Sequence, residues 1–427
     1  MARPRNTTLF TTLPLELREQ IYKRVLMSPV QAPALLRVCR AINTEAQKFL
    51  YQRLIVFKSR LHMYRWLDTI PKRFHSQVTD IFLNLQDIDL RSLLDPYASA
   101  SQQPDRLLAW ELYTAELDKL KEALAKLSSV KTMTIHAFPG RQSHLYRDFL
   151  DTFLDSLYTT CPAILDLRLG GEMHHQSLQF LRKLPTLQSF TFDALSADSA
   201  TETADIISSL EHLRNLTLIS SHEMHIASIP TYTRFATESQ PSANNATRTI
   251  EQLASLSVTD CATEPATNLL FTPEVLTAVQ RHKSLKSLSI SQSHTPSDEM
   301  LGALERCLSG SGIESLELDW PSLHPEILEE YSLVGRCIKS LWIRARSTDA
   351  AIQFISYLLE HRESGDRNKL EEVVLIRDVK VYSVMDKAMN DRKDSACATG
   401  EEGSVAVSTS SIHPGRSTVV IVGASRR

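Results

Sequence analysis

A short spacing pattern recurs along most of this chain and limits its fold more than any other feature. An aliphatic residue is followed three positions later by an apolar residue and, two positions after that, by another. It reads Val130-Met133-Ile135, Ile164-Leu167-Leu169, Leu187-Phe190-Phe192, Leu213-Leu216-Leu218 and Leu253-Leu256-Val258. It continues as Leu285-Leu288-Ile290, Ile313-Leu316-Leu318, Ile338-Leu341-Ile343 and Leu370-Val373-Leu375, with Val78-Ile81-Leu83 as a divergent earlier copy. First positions lie between 23 residues (Ile164 to Leu187) and 40 residues (Leu213 to Leu253) apart. The last two apolar positions have the period of two of a strand that buries one face. Nine matches in series are hard to obtain by accident, and recurrence at this spacing marks a repeat architecture.

The intervening segments have helical periodicity. Leu145, Phe149, Phe153 and Leu157 share one face, and Pro162 ends that region. Ile206, Ile207 and Leu210 follow a Thr/Glu-rich start at Thr201; Val275 and Val279 follow Pro273; Leu301, Leu304 and Leu308 follow Ser297-Asp298. Ile352, Ile355, Leu358 and Leu359 form a further stripe. The unit is a strand, a turn and a helix, and such units coil so that each buries its neighbours' faces. This resembles an irregular leucine-rich-repeat array. The residue that this family usually carries after the strand, Asn or Cys, is met at Cys261, while Ser221 and Ser293 stand elsewhere, so a regular arc is not implied. The alternative is a plain α/β domain with the same alternation; nine copies in one register weigh against it.

That register turns the remaining strand positions outward. They run Asp166, Arg168; Ser189, Thr191; Asn215, Thr217; Ser255, Ser257; Ser287, Ser289; Ser315, Glu317, Asp319; Ser340, Trp342, Arg344; Glu372. A small hydroxyl-rich middle gives way to a larger, charged end. Trp and Arg dominate binding energy at many interfaces, so Arg168, Glu317, Asp319, Trp342 and Arg344 are the candidate contacts for a protein client.

The N-terminal segment is of another kind. Leu13-Pro14-Leu15-Glu16-Leu17-Arg18, Ile21-Tyr22 and Val25-Leu26 make an amphipathic helix with proline near its first turn, broken by Pro29 and Pro33. A second helix carries Leu35-Leu36, Val38-Cys39-Arg40, Ile42, Glu45-Ala46 and Phe49-Leu50-Tyr51, and Leu54-Ile55-Val56-Phe57 is a short strand. Over residues 10–58 the chain resembles an F-box, specifically the F-box-like domain common in filamentous fungi. Ala41-Ile42-Asn43 stands where the common F-box usually has tryptophan, and the link Ser28–Pro33 is proline-rich. The resemblance implies docking to a Skp-type adaptor and, through it, to a cullin–RING ubiquitin ligase. Carried over, Leu13, Pro14, Leu17, Ile21, Val38 and Cys39 would make or support that adaptor surface. The alternative is that this segment only caps the first repeat, as arrays require.

Charge separates the same two parts. Residues 1–65 hold twelve Lys/Arg against three Glu, a balance of +9; the whole chain of 427 residues is −3, so the remainder carries −12. A basic head suits an acidic partner, and the overall balance gives no field for nucleic acid. No apolar run approaches the roughly 18–20 residues that span a bilayer, and Met1–Thr12 has no signal-like stretch. Asn6, Asn215 and Asn245 head N-x-[ST] triplets, read as chance matches. Cys39, Cys161, Cys261, Cys307, Cys337 and Cys397 contain no CxxC pair and read as reduced thiols of a cytoplasmic or nuclear protein.

Phosphate-binding loops, nucleophile elbows and zinc-protease motifs are missing. His174-His175 and His222-Glu223-Met224-His225 fall in loops after consecutive strands. Their imidazoles suit a transition metal, but no carboxylate shell supports them, so neither metal nor other cofactor is expected, and no catalysis by this chain. The expected organisation is an F-box-like domain over 1–60, a connecting segment over 61–129 with a long helix near Asp105–Leu127, a solenoid over 130–386 and a tail over 387–427. That tail is Ser/Gly/Asp-rich and mostly without order, with a strand at 418–422 that returns to pair near Val379–Val384. The expected α/β protein would be a monomeric ligase receptor inside a hetero-complex, or a scaffold without a ligase role.

Overall fold

The computed structural model describes residues 10, 13–26, 32–88, 106–137, 143–171, 173, 176–193, 198, 200–220, 253–260, 273–280, 283–321, 323–335, 337–344, 353–354, 356–357, 372–378, 406–413 and 416–422. Two compact units are present, one over 1–190 and 195–198, the other over 191–194 and 199–427.

The first unit opens with helices α1 (Leu15–Leu26), α2 (Ala32–Leu35) and α3 (Arg40–Tyr51). Strand β1 (Ile55–Phe57), α4 (Arg60–Thr69), β2 (Asp80–Asn84) and α5 (Arg106–Ala125) follow. Then come β3 (Thr132–His136), α6 (His144–Thr160), β4 (Asp166–Gly170) and β5 (Ser189–Asp193), the last three residues of which belong to the second unit. Strands β1 to β4 pair in parallel and in chain order, with Ile81 opposite Met133, and Met133 opposite Leu167. Strands β1 and β2 thus belong to the same ladder as β3, so the strand array begins before residue 130.

The second unit contains α7 (Ala200–Ser208), β6 (Asn215–Ser220), β7 (Ser255–Asp260), α8 (Pro273–Gln280), β8 (Ser287–Gln292) and α9 (Asp298–Gly310). It continues with β9 (Ser315–Asp319), α10 (Pro325–Glu330), β10 (Ser340–Arg344) and β11 (Glu372–Asp378). Strands β6 to β11 are again parallel neighbours in chain order, with Leu216, Leu256, Leu288, Leu316, Leu341 and Val373 in one row. Strands β12 (Ala406–His413) and β13 (Arg416–Val422) form an antiparallel hairpin, and β13 pairs antiparallel with β11. The expected terminal strand therefore pairs with 372–378 rather than 379–384, and β12 lies inside the stretch expected to lack order. Residues 379–384 themselves lie outside the described residues.

Seven strands start in the same way. The first aliphatic of the triplet, from Val78 to Ile338, is buried. At Thr79, Lys131, Leu165, Arg214, Ala254, Lys286 and Glu314, the carbonyl of the residue after it accepts two successive N–H groups at the start of the next strand. Lys131 accepts from Leu165 (2.8 Å) and Asp166 (2.9 Å); Lys286 accepts from Glu314 (2.8 Å) and Ser315 (2.9 Å). The same pairing joins Arg214 to Ala254 and Ser255, and Glu314 to Lys339 and Ser340. This forked hydrogen bond sets the register, and a slip of one residue would turn every inward side chain outward.

Inward triplet positions such as Met133, Leu167, Phe190, Leu288 and Leu316 are fully buried, while their outward neighbours keep contact with solvent. A parallel array in chain order keeps its helices on one side, so the fold is a mixed α/β, solenoid-like array with one covered sheet face. Helix α6 packs Tyr146, Phe149, Leu150, Phe153, Leu154 and Leu157, starting at Ser143, whose hydroxyl accepts the Tyr146 N–H. Ser297 caps α9 in the same manner through Met300. Alternation weakens at β11, where Val374 is fully buried and Val373 only half-buried. Ile352, Ile355, Leu358 and Leu359 lie outside the described residues.

Leu288→Ala should lower unfolding stability by about 2–5 kcal/mol, because the packed array relaxes only partly around the void. Ser257→Ala, on the outward face of the same unit, should change it by less than about 0.5 kcal/mol. Urea unfolding of the two variants checks the difference; equal costs would contradict the one-sided core.

Candidate functional site

The N-terminal helices build a small core from Tyr22, Leu26, Ile42, Ala46 and Phe49, joined by the partly buried Phe10, Leu35, Leu36 and Leu50. Tyr22 lies between the rings of Phe10 (5.7 Å) and Phe49 (6.5 Å). Its hydroxyl donates to Glu45 Oε2 at 2.8 Å, and Arg18 holds Glu45 Oε1 at 3.0 Å. Asn43 Nδ2 donates to the Leu36 carbonyl at 2.8 Å, and Lys48 pairs with Glu19. Asn43 and Glu45, polar residues inside the second helical motif, thus tie α3 to the link before it and to α1.

Helix α1 has a second apolar face. Pro14, Leu17 and Ile21 follow one another at three and four residues, so they share a side. That side points away from the core: Leu17 is 46% exposed, Ile21 37%, and Pro14 is exposed. Val38 is 66% exposed and Cys39 is exposed at the start of α3, where its side chain makes no cap hydrogen bond; Leu13 is half-buried. Five of the six residues assigned to an adaptor surface are therefore solvent-facing, and Leu15, at 44%, is a seventh apolar neighbour that sequence alone placed inside the helix pattern without a role.

The outward face of the second unit brings four of the five proposed client residues together. Trp342 stands opposite Glu317 in the β9–β10 ladder, and Ser289 stands opposite Glu317 on the other side. Ser289 Oγ donates to Glu317 Oε2 at 2.8 Å, and Ser291 Oγ donates to Asp319 Oδ2 at 2.9 Å. Arg344 reaches Asp319 Oδ2 at 2.9 Å, with that carboxylate only 7% exposed. Asp319 is thus an anchor for Arg344 rather than an open contact. Trp342 Nε1 donates to Ser340 Oγ at 2.8 Å, which fixes the indole on the sheet. Arg168, the fifth, belongs to the first unit and is clasped by Asp166 at 2.7 Å.

Sequence reasoning turned Arg168 outward but missed the rest of its row in the first unit. Val56, Phe82, Thr134 and Arg168 stand in register across β1 to β4, with Val56 42% exposed. The His136 imidazole lies 5.1 Å from the Phe82 ring and over Gly170, where a Cβ would come within 2.6 Å of Nε2. Gly171 takes φ +82° against the Ala137 carbonyl. The Gly170-Gly171 doublet at the end of a repeat strand was the available signal.

Arg60 is buried with Glu116 at 3.2 Å and Asp87 at 3.4 Å, and Tyr64 donates to Glu116 at 2.7 Å. Burial first, then the Glu116 hydrogen bond, push the Tyr64 phenol far above its usual range. This network ties α4 to α5 beside a shallow cleft of about 180 Å³ lined by Tyr64, Leu67, Asp68, Lys119, Glu122, Ala123 and Lys126. The Cys161 and Cys307 thiols are pushed up to about 11 by burial, which makes them poor nucleophiles.

Among the described residues, no three His, Cys, Asp or Glu side chains gather as metal ligands, and no helix is long and apolar enough to cross a membrane. His174, His175, His222, His225 and Cys261 lie outside the described residues. No protein-family model matches the chain, and no curated protein is detectably similar to it in sequence.

Burial, followed by the hydrogen bond to Glu45, pushes the Tyr22 phenol up to about 12. The stabilisation from its neutral form is complete below pH ~10, the unfolded value, and is lost as pH rises through about 12. Spectrophotometric titration of wild type minus Tyr22→Phe should show this late ionisation, and Glu45→Gln should move it lower. A Tyr22 that ionises like free tyrosine would show that the α1–α3 core is not formed.

Proposed function

We propose that this chain is an F-box-like, leucine-rich-repeat-type substrate receptor of a cullin–RING ubiquitin ligase. Its N-terminal helices dock a Skp-type adaptor, and the outward sheet face holds a protein client in the cytoplasm or nucleus. Catalysis belongs to the assembled ligase. The observation that carries the reading is the stripe of Pro14, Leu17 and Ile21 on the outer side of α1, with Val38 exposed on the same three-helix body. Full burial of a Leu or Ile side chain is worth about 1.5–3 kcal/mol, so leaving two of them outside the core is costly unless a partner covers them. The +9 balance of residues 1–65 favours an acidic partner.

The rival reading, a repeat scaffold whose first helices only cap the array, draws support from Tyr51. Its ring stacks on Phe74 at 4.7 Å and meets Trp66 edge-on at 6.2 Å, so α3 is welded to the start of the array. A cap, however, serves solubility by turning a polar side outward, and α1 turns Leu17 and Ile21 outward.

A pull-down with purified Skp-type adaptor separates the two. Wild type should bind, and Leu17→Asp/Ile21→Asp should bind at least about 100-fold more weakly with unchanged circular dichroism, since neither residue lies in the core. Leu13→Ala/Pro14→Ala should weaken binding less. Failure of folded wild type to bind would leave the scaffold reading.

A further inference from the structure

Charges on the outward face of the second unit are divided unevenly. Asp319 is spent on Arg344 and Ser291. Lys286 and Lys339 share the one carboxylate of Glu314 at the strand starts, which holds Glu314 well below the usual carboxylate range, at about 2. Glu317 is different. Its carboxylate accepts from the neutral Ser289 hydroxyl, and among the described residues no cation pairs with it. Directly opposite on β10 stands the indole of Trp342, tethered by its N–H to Ser340 and only partly covered. Beyond Glu317, the same row continues through Ser289, Ser257 and Thr217, whose short side chains leave the strands low.

We propose that Glu317 and Trp342 form a recognition site for a Lys or Arg side chain of an extended client peptide, laid along the Thr217–Ser257–Ser289 row. The inference rests on the reading of this face as the client surface and is independent of adaptor docking. The physics favours a cation. A carboxylate opposite an aromatic face supplies both an ion pair and a cation–π contact. Arg344, a guanidinium on this end of the face, is already committed to a nearly buried carboxylate, and diverting it to an acidic client would break that ion pair. Hydroxyl groups of the low row can hydrogen-bond an extended chain without selecting its sequence, so selectivity concentrates at the charged, aromatic end.

The test uses the full chain without adaptor. It is offered an array of nonapeptides whose central residue is Arg, Lys, Gln or Glu and whose other positions are randomised. Arg- and Lys-centred peptides should bind about tenfold more tightly than Gln- or Glu-centred ones. Glu317→Gln should erase that preference, Trp342→Ala should weaken binding of basic peptides, and Trp342→Tyr should restore most of it. Arg344→Gln, which removes a cation from this face, should leave the basic preference intact or raise it. Preference for Glu-centred peptides that Arg344→Gln removes would overturn the proposal, as would the absence of charge-dependent binding by folded wild type. Because no adaptor is present, either outcome leaves the pull-down result standing on its own.

Discussion

A backbone carbonyl shared by two successive N–H groups at the start of the next strand recurs at seven joins and holds the parallel strands in register. The forked bond recurs from Thr79 to Lys131 and Thr132 in the first unit, and from Arg214 through Ala254, Lys286 and Glu314 in the second. It lies beside the buried first aliphatic of each triplet, so the turn into the strand and the start of the ladder are made by the same residues. Everything else follows from that alignment. Rows of Leu, Ile and Met stack inward, each unit burying only its neighbours' faces. The helices cover that side, and the opposite side of the sheet is left for other uses.

Open faces of this kind carry function because they cost the core nothing. Ser and Thr at the outward positions satisfy their hydroxyls on neighbouring strands or on solvent, and a single large residue among them, such as Trp342, becomes prominent by contrast. The carboxylates show how position decides role. Asp319 and Glu317 are two residues apart on one strand, yet Asp319 is closed by Arg344 and Ser291 while Glu317 faces a tethered indole. At the other end of the chain, α1 solves a related problem. Tyr22 and Leu26 serve a core too small to be stable alone, and the residues on the far side remain apolar, which fits a body completed by a partner.

The order of strands was legible from the triplets, because period-two burial and the preceding aliphatic leave a local signature. The start of α9 was legible from Ser297-Asp298, where a capping serine stands. Other features were hidden. Val78-Ile81-Leu83 looked divergent, yet its strand pairs in full register with β3, because the pattern tolerates a weak copy once its neighbours set the ladder. Strand β13 was expected at 418–422, but β12 was obscured by a Ser/Thr-rich composition that resembles a linker; only pairing with β13 gives those residues a sheet to complete. The His136–Phe82 contact over Gly170 depends on three strands at once, and no linear spacing encodes it.

By itself, then, the sequence determined most of the inward positions and strand starts of the repeats, and that a basic helical head precedes an acidic repeated body, since all of these rest on local periodicity and charge. The tertiary structure alone decided which side chains remain available. Whether Leu17 is core or surface depends on where α3 packs against α1. Whether a carboxylate is free or consumed depends on which cation the adjacent strand brings within 3 Å of it, as Arg344 is brought to Asp319 at 2.9 Å. Burial and pairing are set by neighbours distant in the chain, and that is why the candidate surfaces could be nominated from residue types but divided into anchors and contacts only in three dimensions.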